Sequence, residues 1–299
     1  MKNILSFDIG GSKLVAGIVD ETGEIKLREK YLWDRLDESS VLNVITSAGR
    51  NMLDRFAGNV SAIGAAIPGL CNPDKGIWVE SSFSGLSNIP IQDILNHEFS
   101  LPVAIENDVN ACALAEKMFG CCKDSTDFIW LTVSNGCGGA LFLSNALYKG
   151  FGGTAGEIGH IVVEENNGFQ CGCGNSGCLE IQAAGPGIVR RYLQKTPGES
   201  LTAADIASKA REGDANALKV YRDEGKYLGY AIASAVNLLN PERVIIGGGV
   251  SASFDLFADT LRETVMQRIY QSANKTLIIE TSALGYNASL IGAASLALV

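Results

Sequence analysis

The chain has 299 residues, of which 46% are hydrophobic and 19% charged, a globular composition that fits two compact domains better than one. A net charge of -9 disfavours binding to the phosphate backbone of nucleic acids and to anionic membranes, so we expect no nucleic-acid or membrane partner. Asp8 interrupts the N-terminal apolar run before it reaches signal-peptide length, and no stretch is long enough to span a membrane. We therefore expect a cytoplasmic protein whose eight cysteines are thiols and metal ligands rather than disulfides.

The first part of the chain alternates strand and helix patterns. Apolar runs separated by a glycine turn and a polar turn predict three strands, and apolar residues at helical spacing predict a helix after them. Another buried strand ends at Pro68, and a last strand runs directly into a helix. The predicted strands are 3–8, 14–20, 25–32, 60–67 and 102–105, and the predicted helices are 39–56 and 108–119.

The pattern then restarts with a strand, a glycine-rich turn and a returning strand. At a constant offset Asp8 falls on Ser134 and Gly10 falls on Gly136, which suggests two related α/β halves facing each other. We place the boundary near Gly120, with a small lobe of residues 1–119 plus 289–299 and a large lobe of 120–288. The predicted elements here are strands 129–133, 140–143, 243–247 and 276–281, and helices 187–194, 203–211, 214–239, 253–272 and 289–298.

Three glycine clusters follow predicted strands, and glycine lets backbone N–H groups approach the oxygens of a phosphate. None matches a P-loop or a dinucleotide fingerprint, and each alone is more often a tight turn. Together they favour a nucleotide cleft between the two halves, where Asp8 could hold a hydrated magnesium ion. The candidate phosphate-binding residues are Asp8, Gly10, Gly11, Ser12 and Lys13, then Ser134, Asn135 and Gly136, and finally Gly248 and Gly249.

A cluster of acids and amides stands at the predicted junction of a strand and a helix, around Asp108. Asp108 occupies the position of a helix N-cap, and capping is one interpretation of it. The other is catalytic, because ligands gather at the carboxyl ends of strands in α/β folds and a carboxylate there can accept a hydroxyl proton. Glu106 precedes the turn, and we expect it to pair locally.

A short glycine-rich loop contains three cysteines and one of the two histidines of the chain. Three thiolates and an imidazole form a closed ligand set for structural zinc, here His160, Cys171, Cys173 and Cys178. A redox cluster is the main alternative, although the spacing departs from a C-x-x-C pair. Glu157 and Glu180 flank the ligands, so a bound metal would bring both carboxylates near His160. A zinc that only staples the loop is the simpler reading.

At this point the motifs resemble those of the ROK family of bacterial sugar kinases, repressors and uncharacterised relatives, over nearly the whole chain. The cysteine and histidine segments are the specific part of the match, whereas the glycine turns alone are not. The matching segments are D-I-G-G-S-K at 8–13, I-P-G at 67–69, E-N-D-V-N-A at 106–111, S-N-G-C-G-G at 134–139, E-I-G-H at 157–160, C-G-C-G-N-S-G-C-L-E at 171–180 and N-P-E-R-V-I-I-G-G-G-V at 240–250.

The resemblance implies a two-lobed, actin-like (ribonuclease-H-like) α/β fold with a zinc-stapled loop, using ATP with magnesium and holding a sugar in the cleft. It makes Asp108 the general base, and it implies that Asn107, Glu157, His160 and Glu180 hydrogen-bond sugar hydroxyls. His160 would bind zinc through one ring nitrogen and the sugar through the other, so that the metal fixes the ring's tautomer. Members of the family are commonly homodimers or homotetramers.

Two departures from the family pattern affect the specificity. The second phosphate turn usually begins G-T-G but here begins Ser134-Asn135-Gly136, and the loop at 80–85 lacks the asparagine that often touches the sugar. We predict ATP-dependent phosphorylation of a hexose or N-acylhexosamine at its 6-hydroxyl. One alternative is a sugar-responsive repressor, although Asp8 leaves no room before it for a helix-turn-helix. The other is a sugar-binding protein with a regulatory role or lost catalysis.

Overall fold

The structure is a computed structural model that describes residues 2–81, 83–198 and 200–299. Ser82, in the loop that lacks the expected asparagine, therefore lies outside the described residues. The chain forms two compact units, the first made of Met1–Asp124, Lys149–Thr154 and Asn287–Val299, the second of Ser125–Tyr148 and Ala155–Tyr286. Over the described residues, every helix is too short or too polar to cross a membrane.

The first unit is built on a five-stranded sheet with the order β3-β2-β1-β4-β8. Its strands, numbered along the whole chain, are β1 (Asn3–Ile9), β2 (Lys13–Asp20), β3 (Ile25–Leu32), β4 (Ala62–Ile67), β5 (Leu70–Asn72), β6 (Ile77–Glu80), β7 (Ser87–Ile89) and β8 (Val103–Asn107). Its helices are α1 (Glu38–Arg55), α2 (Ile91–Phe99), α3 (Asp108–Met118) and, at the end of the chain, α9 (Ala288–Leu296).

Strands β1, β4 and β8 are parallel neighbours, and this arrangement decides where the polar residues of the first unit lie. The register pairs Asp8 with Ala66, Ala66 with Glu106 and Ile67 with Asn107. Because the carboxyl ends of parallel strands meet at one edge of a sheet, Asp8 and the start of α3 share that edge. The sheet packs some of its apolar side chains, among them Phe7 and Ile63, into one buried core, and others, among them Ile4 and Val15, into a second with α9.

The small sheet β5-β6-β7 and helix α2 were not predicted from the sequence. Strands β5 and β7 have three residues each, too short for an alternating pattern to show. What fixes this sheet is tertiary: Trp78 in β6 is fully buried, and its indole N–H donates to the carbonyl of Pro68 at 3.0 Å.

Helix α9 returns from the far end of the chain to the first unit and packs on β4 and α3 by close backbone approach. A Cβ placed on Gly64 would lie 1.7 Å from the carbonyl oxygen of Ala293, and one placed on Gly292 would lie 2.4 Å from that of Ala111. These contacts require glycine, and they bring Ser289 beside the carboxyl end of β1.

The second unit repeats the plan of the first with the sheet order β11-β10-β9-β12-β13. Its strands are β9 (Phe128–Val133), β10 (Cys137–Leu143), β11 (Ala146–Tyr148), β12 (Arg243–Gly247) and β13 (Ile278–Thr281). Its helices are α4 (Leu179–Ala183), α5 (Gly185–Leu193), α6 (Ala203–Arg211), α7 (Ala215–Leu239) and α8 (Phe254–Arg268). Taken in chain order, the strands of each five-stranded sheet fall in the same positions, so the predicted repeat and α/β class are confirmed.

Candidate active site

Two carboxylates, Asp8 and Asp108, lie at the carboxyl edge of the first sheet. Asp8 is half-buried near the end of β1, and its Oδ1 accepts a hydrogen bond of 2.6 Å from the Ser289 hydroxyl. Asp108 is the first residue of α3, and it is also half-buried. The structure thus groups the predicted magnesium ligand and the predicted base within the first unit.

Asn107, and not Asp108, caps the N-terminus of α3, so the capping interpretation of Asp108 was wrong. The side-chain oxygen of Asn107 accepts from the backbone N–H groups of Val109 and Asn110, at 2.9 and 3.2 Å. Asp108 Oδ1 accepts the N–H of Val109 at 3.0 Å, a donor that it shares with Asn107. Its other carboxylate oxygen is not used by the cap, so it can receive a proton from a ligand.

Burial is the main reason why the pKa of Asp108 is raised from its usual range to about 7, and the negative charge of Asp8 adds to the effect. The pKa of Asp8 is also raised by burial, although the Ser289 hydrogen bond and the positive charge of Lys13 act against that rise. A carboxyl whose pKa lies near neutrality is matched to proton transfer at that pH.

The two neighbours of this pair are largely engaged by the protein. The Nδ2 of Asn107 donates to the carbonyl of Gly69 at 3.1 Å, and the Asn107 side chain also hydrogen-bonds to Asp108, which acts against the rise in the pKa of that carboxyl. Glu106 is buried and pairs locally with Asn110 at 3.1 Å, as expected, but it also forms an ion pair of 2.5 Å with Lys149. Glu106 therefore has a structural role, because its carboxylate is already bonded to Asn110 and Lys149.

The first glycine turn joins β1 to β2 and is supported by an aromatic pair that no sequence motif predicts. The turn closes through the N–H of Gly10, which donates to the carbonyl of Lys13 at 3.0 Å. The indole N–H of Trp33 donates to the carbonyl of Gly10 at 3.0 Å, and the Trp33 ring stacks on Phe83 with centroids 5.8 Å apart. A Cβ on Gly11 would lie 3.2 Å from Phe83, so the turn is closely covered there.

The second and third glycine clusters stand at the carboxyl ends of two adjacent parallel strands, β9 and β12. Gly248 has a φ of +84°, and a Cβ there would lie 2.4 Å from the carbonyl oxygen of Val133, so only glycine fits. The cluster leads into a 3-10 helix, Gly249–Ser253, and α8 then begins at Phe254, one residue after the predicted start at Ser253.

These two clusters open on a cavity of 1030 Å³ within the second unit. The predicted phosphate-binding residues Ser134, Asn135 and Gly249 line it. Most of the other described residues that line the cavity belong to helices α5 and α6, and two of them are arginines, Arg190 and Arg211. No motif pointed to these helical residues, because a cavity wall made by helix faces carries no signal beyond ordinary amphipathicity. A cavity of this size, mostly apolar with a few polar groups, is typical of small-molecule sites.

His160, Cys171, Cys173 and Cys178 come together as predicted, with all four ligand atoms within 4.8 Å of one another. Cys171 and Cys178 are buried, and the sulfurs of Cys173 and Cys178 are 3.6 Å apart. This set of three thiols and one imidazole fits a tetrahedral zinc ion. Over the described residues it is the one group of three or more such side chains with metal-binding spacing.

Backbone pairing assembles this ligand set from two stretches of chain. Val162 and Cys178 form an isolated antiparallel bridge, and the N–H of Leu179 donates to the carbonyl of Ile161 at 2.8 Å. The N–H of Cys171 donates to the carbonyl of Asn175 at 2.8 Å, which closes the turn that carries Cys173. Backbone hydrogen bonds thus position the three cysteine ligands.

The imidazole of His160 presents its two nitrogens to different partners. Its Nδ1 lies 3.9 Å from the sulfur of Cys171, on the thiol side, and its Nε2 lies 3.8 Å from the carboxylate of Glu157. A metal on Nδ1 would keep the proton on Nε2, and that nitrogen would then donate a hydrogen bond. The His160 ring therefore has one nitrogen on the side of the thiols and the other on the side of Glu157.

Glu180 lies against the second glycine turn. One of its carboxylate oxygens accepts the N–H of Cys137 at 3.2 Å, and a Cβ on Gly136 would lie 2.6 Å from the same oxygen. Position 136 therefore requires glycine because a side chain there would overlap Glu180. This reason is separate from phosphate binding.

The chain is similar to sugar kinases over nearly its full length. A sequence profile described as ROK family matches residues 4–299. A glucokinase of Thermotoga maritima is 33% identical over 309 residues, covering 98% of this chain and 96% of that protein. A ROK family glucokinase from Streptomyces griseus, solved in complex with glucose and AMPPNP, superposes with a TM-score of 0.88 at 30% identity, and the match covers 98% of each chain.

The chain is also similar to regulators. The xylose repressor of Bacillus subtilis is 32% identical over 234 residues, which cover 78% of this chain but only 60% of the repressor. Both kinds of protein therefore share the same α/β body.

Proposed function

Because the chain belongs to the ROK family, we propose that it is an ATP-dependent kinase that phosphorylates a hexose or N-acylhexosamine at its 6-hydroxyl. One observation supports catalysis more than any other: Asp108 is the first residue of α3 rather than its cap, and burial raises its pKa to about 7. A regulator that only binds sugar has no need of a carboxylate tuned for proton transfer.

In this proposal Asp108 accepts the proton of the sugar hydroxyl as that oxygen attacks the γ-phosphorus of ATP. Phosphoryl transfer needs little covalent help from a protein, so positioning and this proton acceptor are the main contributions. Asp8 has the chemistry of a ligand to hydrated magnesium, which takes one or two carboxylates and, when bound, neutralises phosphate charge. The glycine turns at Gly10 and Gly136 would present backbone N–H groups to phosphate oxygens.

We assign the sugar hydroxyls to four polar residues. Asn107 lies directly beside Asp108, and His160 donates from Nε2 if zinc binds Nδ1. Glu157 is more than half exposed. One carboxylate oxygen of Glu180 accepts the N–H of Cys137, and the other oxygen is the one assigned to a sugar hydroxyl. Zinc has no open position in a closed four-ligand site, so its role is to orient His160 and to order the segment leading to Glu180.

Nucleotide binding fits the cavity lined by Ser134, Asn135 and Gly249. A homodimer or homotetramer is the assembly we expect from the family resemblance. The alternative function, a sugar-binding protein with a regulatory role, is favoured by the similarity to the xylose repressor.

A coupled ADP-release assay over a panel of hexoses and N-acylhexosamines tests the proposal and identifies the substrate. We expect ADP release that depends on one class of sugar and on magnesium, with k_cat in the ordinary range of about 1–100 per second. Binding of a sugar without any sugar-dependent ADP release would favour the regulatory alternative.

A further inference from the structure

Two arginines line the cavity of the second unit, and they differ in how their charge is balanced. Arg211 is neutralised by Asp255, to which its guanidinium donates two hydrogen bonds, at 2.7 and 3.1 Å. Arg190 forms no ion pair with an acid of the described residues, and its one described side-chain contact is an aromatic ring. In a chain of net charge -9, an unbalanced cation on a cavity wall favours an anionic ligand there.

The ring under Arg190 belongs to Phe169, in the loop that carries the cysteines. The guanidinium carbon lies 4.7 Å from the ring centroid, within the range of a cation–π contact. Stacking on one face of the planar guanidinium leaves its N–H edge free for hydrogen bonds. Phe169 is itself fixed, because its carbonyl accepts the N–H of Gly177 at 2.9 Å and the adjacent Gln170 bridges to Ser176.

The next residue of α5, Arg191, holds the helix in place from its other side. Its guanidinium forms a buried ion pair of 2.5 Å with Glu224 and donates to the carbonyl of Val220 at 3.0 Å. It also lies over the ring of Tyr227, whose hydroxyl contacts Glu164 at the start of the cysteine loop, at 3.4 Å. Helix α5 is thus connected to that loop through two successive arginines, which fixes the direction in which Arg190 projects.

We propose that Arg190 is a nucleotide-binding residue that places its positive charge against the phosphate chain, and that Phe169 is the positioning residue for its guanidinium. This inference rests on the proposed function in one respect, the presence of a nucleotide in the cavity. It makes the metal-binding loop part of the nucleotide site through one side-chain contact.

The test is calorimetric titration of MgATP and of adenosine into zinc-loaded wild type and four variants. Arg190→Gln should weaken MgATP binding about tenfold, because a charge-assisted hydrogen bond is lost, and leave adenosine binding unchanged. Phe169→Leu keeps an apolar side chain but removes the ring, and should weaken MgATP binding about threefold. Lys195→Gln is the matched control, since it makes the same charge change at an exposed residue that does not line the cavity.

The double variant, Phe169→Leu with Arg190→Gln, separates positioning from general damage. If Phe169 acts through Arg190, the double variant binds MgATP no more weakly than Arg190→Gln alone. Zinc content and sugar affinity should stay at wild-type values in Phe169→Leu. Additive losses, equal losses for adenosine, or wild-type MgATP affinity in Arg190→Gln would each overturn the proposal. These readouts do not involve turnover, so they stand or fall separately from the sugar kinase assignment.

Discussion

Asn107 and Asp108 are neighbours with similar helix-capping ability, yet the structure gives them different tasks. The sequence could not decide between them, because both are favoured N-cap residues. The decision comes from the strand register: β8 pairs with β4 through Asn107 and α3 begins at the next residue, Asp108, so Asn107 stands in the cap position. Capping by Asn107 leaves Asp108 free for chemistry.

The pH dependence of catalysis should follow the ionisation of Asp108. A general base must be ionised, and burial raises the pKa of Asp108 to about 7. We therefore expect k_cat/K_M for the sugar to be level above pH 7 and to fall towards tenfold per pH unit below it. A rate profile from pH 5.5 to 9 with saturating MgATP checks this. A flat profile down to pH 5.5 would remove Asp108 from the role of base.

Trp33 should matter for the first glycine turn through its indole N–H. Trp33→Phe keeps a ring against Phe83 but removes the donor to the carbonyl of Gly10. A lost hydrogen bond of about 0.5–1.5 kcal/mol should raise K_M for ATP by roughly 2- to 12-fold. The K_M for the sugar should not change. Leu32→Ala, at an exposed neighbouring position, serves as the control, and an unchanged K_M for ATP in Trp33→Phe would show that the contact has no functional part.

At the scale of elements, prediction succeeded where a pattern lies within one segment. Strand Ile25–Leu32 and helix Ala203–Arg211 have the predicted bounds, because alternation and the cap at Thr202 are local signals. The predicted helix 253–272 begins one residue later, at Phe254, and ends at Arg268, and residues 270–273 beyond it are exposed. The three-residue strands β5 and β7 and the walls of the cavity depend on tertiary contacts, which no local pattern reveals.

The loop of residues 160–180, here called the metal loop, should behave as one element that supports the sugar site and, more weakly, the nucleotide site. Cys173→Ala removes one of four ligands, so we expect loss of zinc and a lower melting temperature. Sugar affinity should fall about tenfold or more, because His160 and Glu180 lose their support. MgATP affinity should fall less, since only the Phe169 contact is disturbed.

Elemental analysis and calorimetry check these expectations for the metal loop. Cys121→Ser, outside the ligand set, is the control for replacing a cysteine. A zinc-free wild-type protein with full activity would refute the assigned role of this loop.

At the scale of the whole molecule, one α/β plan is used twice within the chain and is shared by kinases and repressors. The repeated sheet order explains why the offset between Asp8 and Ser134 was visible in the sequence. Family membership alone does not separate a kinase from a regulator, because both have the same body. In the function proposed here, the proton acceptor Asp108 is the feature that makes this chain a kinase.

The most direct test compares sugar-dependent ADP release with sugar binding in wild type and Asp108→Asn. The variant keeps the shape of the side chain, and Asn107 still caps α3, so it should fold. It should be at least as stable as wild type at pH 8, because between about pH 4 and 7 the folded state holds a proton on Asp108 that the unfolded chain releases, so ionisation destabilises the fold. We predict sugar affinity within a few-fold of wild type and k_cat lower by about 10²-fold or more. Near-normal k_cat in this variant, or no sugar-dependent ADP release in wild type, would contradict a sugar kinase that uses Asp108 as its base.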